Sequence, residues 1–515
     1  MWRTLRTEVE VSLFVGCDLG TLGTKAAVVD EEGLIVASAF EEVELRYPKP
    51  GCVEQDLGDI EASAHRTIRK VVDSSGRANE IAGVAFSGQM SGIGAVDDSF
   101  DPATHYDSWL DTRCAPYIRE MSEHAERVTQ LSGCPPTYSH GPKIMWWKRE
   151  RPADFRNIAK FVVPGAYVAA RLCGLRATDA FIDRTYLHFS NLSNTDRCEW
   201  SDELLEAFDV EAAVLPRIVD PCDVIGEVTG DAAAATGLPE GTPVAAGAGD
   251  QTAASLGAGV VEPGQAFDSA GTASVFAMCV DSFAPDVGNR TFMATHSVIK
   301  GTYIALAFIN GGGLALRWFR DEVCTELRGD PKGYERLDEM AAAVEPGSGS
   351  LLWFPHLQGR VLPPQPQARG AWVGLTSAHT HGHMFRSILE GIAYEYAEWA
   401  RLAADAAGGN KLLGARALGG GAASSLWNQI KADVLGITWL PMQRQECGVL
   451  GDALIAAAAT GHVDDLAATA RSWQQTGDPV DPDEERHRIY QASLDAYRGL
   501  SDRLKPVFDR LGDGS

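Results

Sequence analysis

Apolar and polar residues alternate at the start of the chain. Val9, Val11 and Leu13 occupy every second position, and the apolar run Phe14-Val15-Gly16-Cys17 leads into Asp18. After a Gly/Thr-rich turn come Ala26-Ala27-Val28-Val29, the polar turn Asp30-Glu31-Glu32-Gly33, and Leu34 to Ala37. Short apolar runs bounded by turn residues predict three strands in a meander. Ile81 to Phe86 predicts a further strand, which runs into the loop Ser87-Gly88-Gln89-Met90-Ser91-Gly92. From Leu131 to Arg184, helical segments are interrupted by Pro and Gly. A second unit begins near Val260, where Val260-Val261-Glu262-Pro263-Gly264 is turn-rich and Gln265 to Phe267 opens a strand. Pro346 to Gly370 is crowded with Pro and Gly and predicts a long loop. Phe385, Ile388, Leu389, Ile392, Tyr396, Trp399 and Leu402 recur at helical spacing, which predicts a helix from Phe385 to Ala407, stopped by Gly408-Gly409. A strand reaching Leu418, the turn Gly419-Gly420-Gly421 and a helix from about Ser424 to Leu435 follow.

The two units share a signature. Asp18-Leu19-Gly20-Thr21 follows a strand in the first, and Ser269-Ala270-Gly271-Thr272 follows one in the second, about half the chain later. This spacing points to two similar halves, 1–259 and 260–515, that face a shared cleft. With 515 residues, 45% hydrophobic and 22% charged, the composition is that of a globular protein with more than one core. The net charge of −25 sets a repulsive field against phosphate backbones, so nucleic acid is not an expected partner. The ten cysteines are scattered with no C-x-x-C pair, and no run of 18 apolar residues or signal-peptide pattern is present. A cytoplasmic protein without membrane partners is expected.

Candidate chemistry lies at the Gly-rich strand ends. In Asp18-Leu19-Gly20-Thr21-Leu22-Gly23-Thr24-Lys25, a tight turn aims successive backbone N–H groups one way, a nest for anionic oxygens. Thr21 and Thr24 add donors, Lys25 can balance phosphate charge, and Asp18 can hold Mg²⁺ through water. Gly271-Thr272-Ala273-Ser274 offers similar donors, and Gly420-Gly421 lets bare backbone lie against a nucleotide at a helix start. Each of these motifs also fits an ordinary turn. Neither G-x-x-x-x-G-K-[ST] nor G-x-G-x-x-G occurs, which argues against a P-loop NTPase and a dinucleotide dehydrogenase.

Gly249-Asp250-Gln251 places one carboxylate after an apolar strand, where it can take a proton from a substrate hydroxyl or simply cap a helix. Gln89, Met90 and Ser91, with Trp109, Asp111 and Arg113, suit a polyhydroxylated ligand; a surface salt bridge is the competing reading of Asp111 and Arg113. His379-Thr380-His381-Gly382-His383 has the composition of a metal site but no adjacent carboxylate, and is expected to be a solvated helix start.

In this order the motifs resemble the FGGY carbohydrate kinase family, from about Val11 to about Gly461. The most specific segment is Gly370-Ala371-Trp372-Val373-Gly374-Leu375, followed by His383-Met384 and Ser387-Ile388-Leu389-Glu390-Gly391. Pro50-Gly51-Cys52-Val53-Glu54-Gln55-Asp56 resembles the family's P-G-W-x-E-Q-D, with Cys52 where Trp is usual. The resemblance implies an α/β fold of duplicated ribonuclease H-like (actin-like) domains, a sugar-binding first half and an ATP-binding second half with the active site in the cleft between them. It implies Asp250 as general base and ATP near Thr21, Thr24, Lys25, Gly271, Thr272, Gly313, Gly420, Gly421 and Ser425. Mg²⁺ would lie near Asp18, and the sugar among Gln89, Met90, Ser91, Trp109, Asp111, Arg113 and Asp250.

Within the family the chain is similar to the xylulokinases, which usually read G-Q-M-H-G where this chain has Ser91 as the fourth residue. Gly359-Arg360-Val361 stands where G-E-R is usual, and His140 and Trp147 also depart from the family pattern around Lys143. The expected reaction is MgATP-dependent phosphorylation of a sugar hydroxyl, a ketopentose such as xylulose first. The alternatives are another ketose, an aldonate or a polyol, a non-catalytic ATP- and sugar-binding sensor, or a bare actin-like ATPase. A homodimer is the expected assembly.

Overall fold

The computed structural model describes residues 12–444 and 446–512. The expected strand positions Val9 and Val11 lie outside the described residues. The first half opens with the antiparallel meander β1 (Leu13–Leu19), β2 (Gly23–Asp30) and β3 (Ile35–Glu42). α1 (Leu57–Ser75) follows, its first turn capped by the Asp56 side chain, which accepts from the N–H groups of Gly58 and Asp59. β4 (Ile81–Gly88) lies parallel to β1. Then come α2 (His140–Glu150), β5 (Val224–Glu227), β6 (Pro243–Ala245), β7 (Ala248–Gly249) and α3 (Asp250–Gly257). The sheet order is β5-β6-β4-β1-β2-β3, with β7 also paired to β4. β1 is buried along most of its length, as its unbroken apolar run requires of a central strand covered on both faces. β3 alternates between half-buried and exposed positions, as a sheet edge does.

The second half repeats this plan. It comprises β8 (Gln265–Ala270), β9 (Ser274–Val280), β10 (Met293–His296), β11 (Tyr303–Ile309), α4 (Gly312–Trp318), α5 (Gly333–Ala342), α6 (His381–Ala406), β12 (Gly414–Leu418), α7 (Ser425–Leu435), β13 (Thr438–Pro441) and α8 (Cys447–Ala459). Its sheet order is β10-β11-β9-β8-β12-β13. In both sheets an antiparallel three-strand meander is extended by two parallel strands on the side of its first strand. This duplicated plan is the ribonuclease H-like, actin-like fold.

The expected strand and helix positions hold, with two differences. α6 starts four residues earlier than its apolar stripe, because Thr380 and His383 form a reciprocal capping box that secures a polar first turn. The segment from Pro346 to Gly370 is not all loop: Leu352–Phe354 pairs with Ala371–Val373, which buries Trp353.

α8 belongs to the second half by sequence but packs on the first sheet. Val449, Leu450, Ala453 and Leu454 join Phe14, Ala85, Ala253 and Leu256 in one core. The approach is backbone to backbone. A Cβ on Gly16 would lie 2.0 Å from the Val449 carbonyl oxygen, one on Gly257 1.9 Å from that of Cys447, and one on Gly451 2.0 Å from that of Ala253. A second junction is polar. Arg184, 6% exposed, donates to the carbonyls of Ser297 (2.7 Å) and Val298 (2.8 Å) beside β10, and Ala294 N–H donates to Gly133 O (2.8 Å). No helix among the described residues is long and apolar enough to cross a membrane.

The glycine crossing yields a stability test. Gly451→Ala should push α8 off α3 and destabilise the protein by about 1–3 kcal/mol in urea unfolding, the cost of overpacking a tight contact. Gly461→Ala serves as the control of opposite cause: it has open space around it but a φ of 76°, so its cost comes from backbone strain alone. A Gly451→Ala protein as stable as the wild type would mean that the helices separate without cost.

Candidate active site

Three carboxylates meet where β1 and β4 end. Asp18, one residue before the end of β1, lies opposite Ser87 of β4 in register. Asp250 is the first residue of α3; Gly249 is the cap, so the capping reading of Asp250 does not hold. Its Oδ1 accepts from the Gln251 N–H at 2.6 Å, and the side chain is half-buried. Met90 presses on the preceding residue, where a Cβ on Gly249 would lie 2.4 Å from Met90 Cε. The third carboxylate, Asp452, comes from α8 and is 0% exposed. Ser87 Oγ donates to Asp452 Oδ2 at 2.8 Å and lies 3.4 Å from Asp18 Oδ1, while Asp452 Oδ1 has no partner. The hydroxyl has one proton, and the shorter contact takes it.

Burial raises the proton affinity of all three, and neighbouring carboxylates add to it for Asp250 and Asp452. Burial pushes Asp250 up to about 7, with the neighbouring Asp18 adding to the effect. Burial also raises Asp18, opposed by Lys25 and the Ser87 hydroxyl. Asp452 lies well above the usual carboxylate range, first through burial and then through Asp18.

On the first-half side of the cleft, the side chains around Thr21 form a connected frame. Trp109 Nε1 donates to Thr21 Oγ1 at 2.8 Å, and that hydroxyl points to Gln89 Oε1 at 3.4 Å. Gln89 donates to Gln55 Oε1 at 2.7 Å, and Gln55 returns a bond to the Thr21 carbonyl at 3.2 Å. Ser91 and Trp109 line a cavity of about 450 Å³, bounded across the cleft by Met293, Phe308 and Asn310. Asp111 and Arg113 are not at this surface, contrary to their expected place around the sugar. Asp111 is 0% exposed; it accepts from Val53 N–H at 2.7 Å and from Arg113 Nε at 2.8 Å. Arg113 also donates to Glu54 Oε1 at 2.5 Å and stacks over Trp146. This ion pair locks the segment around Trp109 in place. Its charges are compensated and buried, so it is a frame and not a ligand.

Behind the Gln89–Ser91 loop, α2 supplies two buried groups. His140 Nε2 bonds the Met90 carbonyl at 2.7 Å, and burial drives this imidazole down to about 3, so it is neutral. Lys143 donates to the carbonyls of Ser91 (3.0 Å) and Tyr138 (2.7 Å).

On the other side of the cleft lies a cavity of about 560 Å³ lined by Gly271, Thr272, Gly313, Gly420, Gly421 and Trp427, among others. A Cβ on Gly313 would lie 1.8 Å from the Gly271 carbonyl oxygen, so only glycine lets α4 begin against this turn. A Cβ on Gly421 would meet the Trp427 ring at 2.6 Å. Ser424, not Ser425, faces the cavity: it caps α7 and donates to Asp338 Oδ2 at 2.7 Å, while Ser425 is exposed on the first helical turn. Thr24 is buried in β2 and offers no free surface. Lys25 is partly exposed, beside Asp18 in the strand pair and 4.0 Å from Glu446.

Sequence reasoning missed Asp452, Ser87, Gln55, Asp338 and Ser424. A single Asp inside the apolar run Val449-Leu450-Gly451-Asp452-Ala453-Leu454 was the available signal for the first. Gln55 lies in the Pro50–Asp56 segment, whose spacing gives no sign of its bond to Gln89.

The model of the FGGY family of carbohydrate kinases, N-terminal domain, matches residues 13–257, and that of the C-terminal domain matches residues 267–460. A xylulose kinase of Staphylococcus epidermidis is 26% identical over 504 residues, covering 96% of this chain and 97% of its own length. A gluconokinase of Bacillus subtilis is 27% identical over 520 residues, covering 98% of both. The crystal structure of xylulose kinase from Rhodospirillum rubrum superposes with a TM-score of 0.88 at 26% identity, covering 96% of this chain and all of that one.

The clustered carboxylates make stability depend on pH. In the folded chain Asp452 keeps its proton above the pH at which the unfolded chain releases it, so its contribution to stability falls as pH rises. Asp452→Asn is neutral in both states. The melting temperature of the variant relative to wild type should therefore rise between about pH 5 and about pH 8. A difference that does not change with pH would show that Asp452 titrates as it does in the unfolded chain.

Proposed function

This chain belongs to the FGGY family of carbohydrate kinases and is an ATP-dependent sugar kinase; from that premise we propose that Asp250 is its general base and that its acceptor is a neutral ketose or polyol, a ketopentose such as xylulose first. The observation that carries this reading is the state of Asp250: a half-buried carboxylate at a helix start, its proton affinity held near neutrality by burial and by Asp18. Such a group takes a proton from an alcohol more readily than an exposed aspartate does.

In the proposed reaction the sugar oxygen forms a bond to the γ-phosphorus while its proton passes to Asp250, and the bond to the β-phosphate oxygen breaks to release ADP. The phosphates would lie along the Gly271-Thr272 turn, with adenosine in the cavity beside Gly420 and Gly421. A hard cation suits the Asp18 carboxylate, and Mg²⁺ held there through water would offset the phosphate charge. Trp109, Gln89 and Gln55 hold Thr21 at the join between the sugar and phosphate sides.

A neutral acceptor is favoured because the buried cations around the Gln89–Ser91 loop and its cavity are already paired, Arg360 of the cavity wall lying 3.6 Å from Glu395. Arg113 is compensated by Asp111 and Glu54, and Lys143 is committed to carbonyls. An acceptor carboxylate close to ionised Asp18 and Asp250 would be repelled. The aldonate reading draws on the gluconokinase similarity and on Arg119, at the exposed rim of the 450 Å³ cavity. Ser91 contributes a short hydroxyl side chain to this cavity.

Two tests follow. Asp250→Asn should lower kcat by about 10²–10⁴-fold with ADP affinity retained, measured by coupled ADP release and by calorimetry; near-normal turnover would refute the base. With D-xylulose, other ketoses, polyols and gluconate compared, faster turnover of gluconate than of every neutral acceptor would refute the substrate class. The base must be ionised to work, so kcat/KM at subsaturating nucleotide should fall as pH drops through about 7. A profile flat from about pH 8 to about pH 5 would contradict the assignment.

A further inference from the structure

Among the described residues, one cluster of metal-ligating side chains is separate from the Asp18, Asp250 and Asp452 group. Cys324, Glu326 and His381 each present one ligand atom, and the three atoms lie within 4.8 Å of one another. Cys324 Sγ is 3.5 Å from His381 Nδ1. Tetrahedral zinc with ordinary Zn–S and Zn–N bond lengths sets sulfur and nitrogen about 3.6 Å apart, so this pair already has the separation of two ligands on one ion.

The chain builds the cluster from two directions. After α4, the backbone widens into a turn in which the Cys324 N–H donates to the Phe319 carbonyl, five residues back, at 2.9 Å. Cys324 then leaves helical geometry (φ −104°, ψ 61°), and Glu326 follows in a single short turn. From the other side, the capping box fixes the start of α6 and so the position of its first residue, His381.

The three histidines of the His379–His383 motif are not equivalent. His379 Nδ1 accepts the Thr376 N–H at 2.9 Å, and its Nε2 faces the Gly349 carbonyl at 3.2 Å. His383 Nδ1 is held by Thr380 in the capping box. Only His381 turns its ring nitrogen toward a thiol. The sulfur is buried while Glu326 and His381 are exposed, so an ion could enter from solvent and keep water as a fourth ligand.

We propose that Cys324, Glu326 and His381 form a binding site for a borderline-soft divalent cation, zinc first. Thiolate, imidazole and carboxylate together select zinc over magnesium or calcium, which prefer all-oxygen shells. As the metal–sulfur bond forms, the Cys324 thiol releases its proton to solvent. The bound ion would tie the segment after α4 to the start of α6. Both border the 560 Å³ cavity: Arg320 stacks on Tyr334, which lines it, and Phe319 packs on Phe385, which also lines it.

The test uses the full chain, stripped with a chelator and titrated with ZnCl₂ by calorimetry, with CoCl₂ as the spectroscopic probe. Expected are one zinc per chain, a thiolate-to-cobalt charge-transfer band, and a rise in melting temperature on adding zinc. Cys324→Ser should abolish the band, and Cys324→Ser and His381→Ala should each weaken zinc binding by at least about 10-fold. Glu326→Gln alters an exposed side chain and keeps the test open should a buried substitution impair folding; it too should weaken zinc. His379→Ala should bind zinc as wild type does. Zinc binding equal in wild type and in His381→Ala, or a cobalt complex without the thiolate band, would overturn the proposal. These readouts need neither sugar nor nucleotide, so they stand apart from the kinase reading.

Discussion

The active centre depends on keeping three carboxylates together in a poorly hydrated place. Asp18 comes from the end of a strand and Asp250 from the start of a helix in the first half, and Asp452 comes from a helix of the second. Charged carboxylates this close repel one another, and burial removes the water that would screen them. The protein relieves the cost by leaving protons on the cluster and by giving Asp452 the Ser87 hydroxyl. The same arrangement raises the basicity of Asp250, which a group receiving a proton from an alcohol needs. The crowding at the centre and the proposed role of Asp250 toward a hydroxyl thus have one physical origin.

Glycine makes the arrangement possible. α8 can bring Asp452 to the end of β1 only because Gly16, Gly257 and Gly451 let backbones touch where any side chain would intrude. The crossing couples the two halves, since a helix of the second is part of the core of the first. Arg184 anchors the second junction through carbonyls and not through apolar contact. One junction is therefore dry and closely packed, and the other is a small set of directional bonds.

The duplicated sheets divide the labour. Each carries a Gly-Thr turn after its first strand, but their surroundings differ. Thr272 is exposed beside the nucleotide-sized cavity. Thr21 is held by Trp109 and Gln89, so the equivalent turn in the first half is built into the sugar side. The side chains that carry the family resemblance also serve as framework: Glu390 accepts from the Ser348 hydroxyl and the Gly347 N–H and pairs with Arg386.

Much of this was legible in the residues. Period-two runs and turn residues located the strands, since burial on one or both faces of a sheet imposes those patterns directly. The repeated Gly-Thr turns announced two halves, and Gly249-Asp250 marked a carboxylate at a strand end. Motif order carried the family. Tertiary structure decided the rest, because side-chain roles depend on neighbours distant in sequence. It turned Asp111 and Arg113 from ligands into a buried brace, since Glu54 and Val53 reach them from another loop. It exchanged Ser425 for Ser424 at the cavity, a matter of where one helix begins. It brought Asp452 from an apolar helix to Asp18 and Asp250, and Cys324 and Glu326 to one histidine among three. The spacing along the chain holds no record of those meetings, because they are set by how two sheets and their covering helices pack in three dimensions.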